Sequence, residues 1–285
     1  MNNALVYRAH YRTVWLSDIH LGSKDCKAEY LLDFLNHSTI ETLYLVGDII
    51  DMWAMSKQFR WPETHNQVLH KLMSLSKEET RVIFLPGNHD APLQKYDGIT
   101  FGEIEIARET VHTTADGKKL LVLHGDQFDQ EVCFGPLQSW IGDKAYDLLL
   151  FINRWYNRIR AALKFPYWSL AGYLKSHIKE ANKAIQRYKN ACINRATEMD
   201  LDGVICGHIH HPEVANINGK TYYNDGDWIE NCSALTELPN GEMKLIYWTQ
   251  TAHASNLFNL RMSKTKNQDK ADALVPVTWH FDYKK

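Results

Sequence analysis

The sequence predicts an α/β fold: mixed β-sheets flanked by helices, with a helical insertion splitting the core. Three observations carry this. Short apolar runs alternate with amphipathic helical stretches through the first third of the chain. The turn signals Asp116-Gly117, Asn218-Gly219 and Asn240-Gly241 punctuate later runs of strand character. Between them, about residues 127–200 read as helix. A chain of 285 residues can bury the core such a fold needs.

The elements follow in order. Val14-Trp15-Leu16 is an apolar run that breaks into Ser17-Asp18-Ile19-His20, a buried strand ending in a loop. Leu31, Leu32 and Leu35 share one face of a helix over 28–36. Leu43-Tyr44-Leu45-Val46 is the second strand, closed by Gly47-Asp48. A helix begins near Pro62, a residue suited to a first turn. Arg81-Val82-Ile83-Phe84-Leu85 is the third strand and runs into Pro86-Gly87-Asn88-His89-Asp90. Strand, helix, strand, helix, strand implies a parallel sheet. Residues 110–114 and 119–123 then flank Asp116-Gly117 as a hairpin, and two more hairpins follow residue 210, so the second half is expected to be mostly antiparallel. The core is placed at about 10–250, with the insertion inside it. The polar stretch 251–285 is expected to be a partly ordered tail with one strand at 275–281.

Composition narrows the function classes. The 32 basic and 34 acidic residues nearly cancel, which argues against a nucleic-acid coat or an acidic tail. Five scattered cysteines without a C-x-x-C pair argue against a disulfide frame and a thiolate zinc site. There is no apolar leader at the N-terminus and no run approaching the ~18 apolar residues of a membrane span. The expected compartment is the cytoplasm.

Five polar clusters each directly follow an expected strand: Asp18-x-His20, Gly47-Asp48-x-x-Asp51, Gly87-Asn88-His89-Asp90, His124-Gly125-Asp126 and Gly207-His208-x-His210. Ligands of open α/β sheets gather at the carboxyl ends of strands, so the five ends would converge on one cleft. Oxygen and imidazole donors without thiolate suit manganese, with iron or zinc as alternatives, at a hydrolytic centre. Two cations about 3.5–4 Å apart need a bridging carboxylate. In extended Asp-x-His and His-x-His, residues i and i+2 project to the same side, so each pair can face the metals. Singly, each cluster is ordinary turn chemistry, and His10, His37, His65, His70, His112, His177, His253 and His280 are read as incidental.

Together the clusters resemble the signature of the calcineurin-like metallophosphoesterase superfamily. The resemblance implies a four-layer sandwich and two divalent ions. It places Asp18, His20, Asp48 and His210 on the first ion and Asp48, Asn88, His124 and His208 on the second, with Asp48 bridging. His89 approaches the substrate and protonates the leaving oxygen, and Asp51 orients it. Hydrolysis is then expected by attack of a metal-bridging hydroxide on phosphorus. A metal-free scaffold role would need missing ligands, and all seven are present.

Within the superfamily, Leu16-Ser17-Asp18-Ile19-His20-Leu21, Asp51-x-Trp53, His124-Gly125-Asp126 and the insertion before Gly207-His208-Ile209-His210 are similar to the UDP-2,3-diacylglucosamine diphosphatases of lipid A synthesis. That family implies a lipid-linked nucleotide-sugar substrate, a lid for acyl chains and peripheral contact with the inner membrane face. Residues 151–200 hold ten basic against three acidic residues, a local +7. Leu170, Leu174, Ile178, Ala181, Ile185, Tyr188 and Cys192 recur there at helical spacing, beside Lys175, Lys179 and Lys183. Such a helix either lies on anionic lipid and acyl chains or packs on the sheet with a solvated basic face. Trp53, Trp155, Trp168, Lys175 and Lys179 are the expected substrate-binding residues. The chain departs from that family in having His89 after the metal-binding asparagine instead of arginine, Asp51 where glutamate is usual, and Cys133 outside the Cys-x-Asp-Asp run. The alternative is a paralogue acting on another phosphodiester or pyrophosphate, with a nucleic-acid backbone as the weaker candidate.

Overall fold

The computed structural model describes residues 8–129 and 179–251 and, between them, positions 152, 153, 155–157, 159, 160, 163, 165 and 167–170. The expected strand at 275–281 and residue Lys175 lie outside the described residues, as does the side chain of Lys179.

Strand β1 (Ala9–Leu16) leads through a loop to α1 (Ala28–Asn36), followed by β2 (Ser38–Leu45), a short α2 (Met52–Lys57), α3 (Glu63–Lys77) and β3 (Arg81–Phe84). Pro62 stands just before α3, at the N-cap. Strands β1, β2 and β3 pair in parallel, as the alternating pattern predicts. Two short strands the sequence reading omitted, β4 (Thr100–Phe101) and β5 (Ile104–Ile106), extend this sheet beyond β3. They are too short, at two and three residues, to show a period.

The hairpins form at the expected turns. They are β6 (Glu109–Thr113) with β7 (Lys119–Leu123), β9 (Glu213–Ile217) with β10 (Lys220–Asn224), and β11 (Ser233–Glu237) with β12 (Met243–Tyr247). Helix α4 (Lys179–Glu198) and β8 (Gly203–Cys206) precede the second hairpin. The pairing between hairpins differs from the expectation. β8 lies between β7 and β10, parallel to both, so the five-stranded sheet β6-β7-β8-β10-β9 has a parallel centre. The last hairpin joins the other sheet, whose order is β12-β11-β1-β2-β3-β5-β4. A hairpin turn fixes only its own two strands; the helix before β8 returns the chain in the parallel sense.

Side-chain alternation along the strands builds the layers. Leu43, Leu45, Val82 and Phe84 face α1 and α3, whereas Trp15, Tyr44, Val46, Ile83 and Leu85 meet Leu120, Val122 and Ile205 of the second sheet. Leu121, Leu123, Val204 and Cys206 point the other way, against Tyr188, Ala191 and Cys192 of α4. The result is helices, sheet, sheet, helix. Strands covered on both faces read as continuous apolar runs, which is why they were legible. His112, read as incidental, is buried between the sheets with its Nε2 3.0 Å from Glu237 Oε2. Arg12 and Thr13 bind the same oxygen at 2.6 and 2.9 Å.

Helix α4 resolves one alternative. Ile185, Tyr188 and Cys192 are buried against the second sheet while Lys183 and Arg187 are exposed. This described half of the apolar stripe is core.

Candidate active site and metal centre

All five polar clusters stand where strands end: after β1, β2, β3, β7 and β8. The loops after β1 and β2 run side by side, with Asp18 N donating to Gly47 O (3.0 Å) and His20 N to Asp48 O (2.9 Å). The loops after β7 and β8 are pinned from behind by α4: Tyr188 Oη lies 3.2 Å from His124 O and 3.3 Å from Gly207 O. Gly47 takes a left-handed backbone (φ +82°), and a Cβ there would overlap the His124 ring.

The same loops correct one local expectation. Asp18, His20, Asp48, His208 and His210 have φ of 50°, 53°, 55°, 70° and 49°. They are not extended, so strand alternation does not aim them. Side chains with a Cβ rarely occupy this region, and five of the nine that do so among the described residues are candidate site residues. The turns split the His-x-His pair: His210 joins Asp18 and His20, whereas His208 joins Asp48 and His124. Asp48 Oδ2 faces both groups, 3.8 Å from His20 Nε2 and 3.4 Å from His124 Nε2. Asn88 Oδ1 is 3.3 Å from His124 Nε2. All seven residues are therefore brought together.

The imidazoles are held in defined tautomers by acceptors behind them. A carboxylate or carbonyl oxygen only accepts, so the ring nitrogen facing it carries the hydrogen. His124 Nδ1 donates to Val46 O (2.8 Å) and His20 Nδ1 to Asp51 Oδ2 (3.2 Å). Their Nε2 lone pairs then face the carboxylates. His20 Nε2 and Asp18 Oδ1 are buried 3.8 Å apart, and neither has a hydrogen-bond partner in suitable geometry. Buried polar atoms left this way cost free energy that a bound cation would recover. The donor set fits divalent metal ions.

Electrostatics agree. Burial opposes a charged His20, but the nearby Asp18 carboxylate, the hydrogen bond to Asp51 and the charge of Asp48 raise its pKa to about 10. His124 is likewise driven upward against its burial, by Asp48 first. Burial would lift the Asp48 carboxyl, yet His124 and His20 hold it at about 2. Protons and divalent cations compete for these lone pairs, so binding a metal here releases protons.

His89 lies outside the two groups that contain Asp18 and Asp48. Its Nδ1 donates to Asp51 Oδ1 at 2.9 Å, and its side chain is 25% exposed against 5% for His20. Its Nε2 stands 4.0 Å from Asp48 Oδ2, at the open side of the cluster. Asp51 receives both His20 and His89 and also caps α2 by accepting from Ala54 N (2.7 Å). Burial would raise its pKa, but the two imidazoles hold it well below the usual carboxylate range. Trp53 is half exposed with its ring 4.5 Å from that of His89. Trp155 and Trp168 are exposed on the insertion.

The sequence reading missed the residues that hold the loops. Asp90 is fully buried and binds the Ile49 and Gly87 amides at 2.8 and 2.5 Å, and burial together with Asp48 lifts its pKa to about 6. Asp225, also fully buried, meets Ser17 Oγ at 2.7 Å, and Ser17 Oγ lies 2.5 Å from Asp18 Oδ2. Asp129 Oδ1 is 2.6 Å from His208 Nε2. Asp90 and Asp129 adjoin the clusters in sequence, which was the available signal; Asp225 had none.

Among known proteins, residues 11–212 match the family described as calcineurin-like phosphoesterase. A UDP-2,3-diacylglucosamine hydrolase of Blochmanniella pennsylvanica is 26% identical over 219 residues, covering 72% of this chain and 81% of that protein. Another protein of that name, from Pectobacterium carotovorum, is 23% identical over 236 residues, covering 80% and 95%. Among solved structures, a hypothetical protein of Pyrococcus horikoshii superposes with a TM-score of 0.46 at 12% identity, covering 90% of this chain and 94% of that one. The chain belongs to the calcineurin-like phosphoesterase family. It is a metal-dependent hydrolase of phosphoester or pyrophosphate bonds.

Proposed function

We propose that this member of the calcineurin-like phosphoesterases hydrolyses a diacylated UDP-sugar, the substrate that its relatives' name gives for them, and that the bond it cleaves is the pyrophosphate. Asp18, His20, Asp48 and His210 would hold one divalent ion, and Asp48, Asn88, His124 and His208 the other, with manganese the best match to oxygen and imidazole donors. Such ions supply Lewis-acid polarisation of the phosphoryl group and acidify a water. The chain's own residues do the rest. Asp51 keeps the His89 Nδ1 hydrogen in place, so the Nε2 of a protonated His89 can donate to the leaving oxygen. The same bond fixes the ring against rotation, and Trp53 covers its face.

One observation supports the lipid-linked substrate. Ile152, Trp155 and Ile159 recur at helical spacing and are exposed, with Leu163, Phe165 and Trp168 exposed beside them. The side chains of Asn153 and Asn157 tie the stretch together instead. Asn153 Oδ1 accepts from Leu170 N (2.9 Å), and Asn157 pairs with the Trp168 backbone at 3.0 and 2.9 Å. An apolar surface held outward by its own polar ties suits acyl chains or a lipid surface. Tyr167 Oη reaches Ile229 O (3.4 Å), and the neighbouring Trp228 N binds Asp18 O (3.0 Å), which connects the stretch to the metal loops. Among the described residues no helix is long and apolar enough to cross a membrane.

The test compares the manganese-loaded protein on a diacylated UDP-sugar in detergent micelles, on a small chromogenic diester and on single-stranded DNA. Trp155→Ser and Trp168→Ser should raise KM for the lipid substrate and leave diester hydrolysis nearly unchanged. Charge reversal at Lys175, Lys179 and Lys183 should reduce sedimentation with anionic vesicles. Hydrolysis of the diester or DNA without any lipid-linked turnover by the wild type would refute the substrate.

A further inference from the structure

We propose that Asp129 is a positioning residue for His208, through which the root of the insertion sets the affinity of the Asp48, His124 and His208 cation position. The inference rests on the metal-site reading given above. Three other site imidazoles are each oriented from behind by a group of the core: His124 by Val46 O, and His20 and His89 by Asp51. His208 is oriented differently. Its Nε2 lies 2.6 Å from Asp129 Oδ1, and Asp129 stands at the start of the insertion.

The chemistry fixes the direction of that bond. A carboxylate can only accept, so His208 Nε2 carries the hydrogen and the ring offers Nδ1 as its donor atom. A charge-assisted bond of this length also restrains the ring about its side-chain torsions. Core packing does not do so for Asp129 itself, whose side chain is 50% exposed. What holds it is backbone. Asp129 closes the short 3-10 turn Asp126–Phe128, donating its N–H to Asp126 O, and Phe128 is buried with its ring 6.2 Å from that of Tyr188. Tyr188 in turn touches His124 O and Gly207 O. A shift of the insertion's first turn therefore reaches His208 through Asp129, and His124 and Gly207 through Phe128 and Tyr188, all on the side of the second ion. Asp18 accepts from the His208 backbone amide at 2.8 Å, a bond that does not depend on the orientation of the His208 ring, so the effect should fall mainly on the ion that the ring itself binds.

The test is manganese titration by calorimetry of wild type, Asp129→Asn, Asp129→Ala and Asp129→Glu, with the spin-coupled dimanganese spectrum as a second readout. The near-isosteric Asn variant removes the charge and one acceptor oxygen while keeping the shape of the turn, and thermal melts check folding. Asn and Ala should weaken one of two ions by about 10–100-fold, the range for lost outer-shell partners, and leave the other within twofold. Glu should restore part of the loss. In a His208→Ala background, Asp129→Asn should have no further effect. Two ions bound with wild-type affinities by both Asn and Ala would overturn the inference alone, as would an undiminished loss in the His208→Ala background. A wild type that binds fewer than two ions would overturn the metal-site reading, and this inference with it.

Discussion

Replacing Asp51 by asparagine separates chemistry from folding more cleanly than any other change at the site. The carboxylate makes three hydrogen bonds: from His20 Nδ1 (3.2 Å), from His89 Nδ1 (2.9 Å) and from Ala54 N at the start of α2 (2.7 Å). Asparagine caps a helix about as well as aspartate, so with its amide oxygen at the Oδ1 position, which Ala54 N and His89 Nδ1 share, the Ala54 bond and α2 should survive with little loss of stability. The two imidazole bonds cannot both survive. An amide offers one acceptor oxygen, and its NH₂ would oppose a ring N–H. Each lost charge-assisted bond is worth about 1.5–3 kcal/mol, and the ring left without an acceptor is free to adopt the other tautomer or rotate. If His89 is the ring released, the Ala54 bond to the same oxygen goes with it, and turnover should fall by roughly 10²-fold or more, within the range for an impaired general acid. If His20 is released, the loss should appear as about 10–100-fold weaker metal binding. Measuring kcat at saturating manganese against manganese affinity distinguishes the two, and a thermal melt within a few degrees of wild type confirms that the cap holds. Asp51→Ala should show the same kinetic loss plus about 1 kcal/mol of stability from the missing cap. An asparagine variant within threefold of wild type in both kcat and metal affinity would refute the role given to Asp51.

Asp48→Ala should abolish hydrolysis and sharply lower metal content, because Asp48 Oδ2 faces both donor groups; two ions retained on elemental analysis would contradict a bridging role. His89→Ala should keep both ions and lose roughly 10²–10⁴-fold in turnover, less for substrates with good leaving groups, since these need little protonation. Loss of metal alongside activity would make His89 a ligand instead. Stability should also depend on His65, whose Nδ1 accepts from Gly22 N (2.9 Å) and whose pKa is lowered to about 4 by burial and by Arg60. The unfolded chain takes up this proton near pH 6.5 and the folded one only near 4, so stability should be full above pH 6.5 and decline as pH falls through that window, by at most about 3 kcal/mol. Urea melts at pH 8 and pH 5 should show a flatter dependence for His65→Gln; an unchanged slope would remove His65 as the cause.

The sequence by itself determined the core strands and the composition of the site. Val14-Trp15-Leu16, the run ending at Val46 and the run ending at Leu85 are apolar throughout because both faces of those strands are covered, and a doubly covered strand needs no help from tertiary contacts to be read. Each polar cluster was visible as the abrupt end of such a run. The tertiary structure alone decided how the clusters meet. Left-handed turns at Asp18, His20, Asp48, His208 and His210 aim those side chains; aspartate and histidine enter that region more readily than most residues, but it stays a minority conformation that the surrounding structure must enforce. The sorting of His208 and His210 into different donor groups depends on those turns. Asp225 reaches the Ser17 hydroxyl across 208 positions of sequence, a contact that exists only once β10 lies beside β8. The stripe Ile185, Tyr188 and Cys192 satisfied a membrane surface and a sheet surface equally well by period alone. Burial against the second sheet settled it, since periodicity records that one face is apolar and not what covers it.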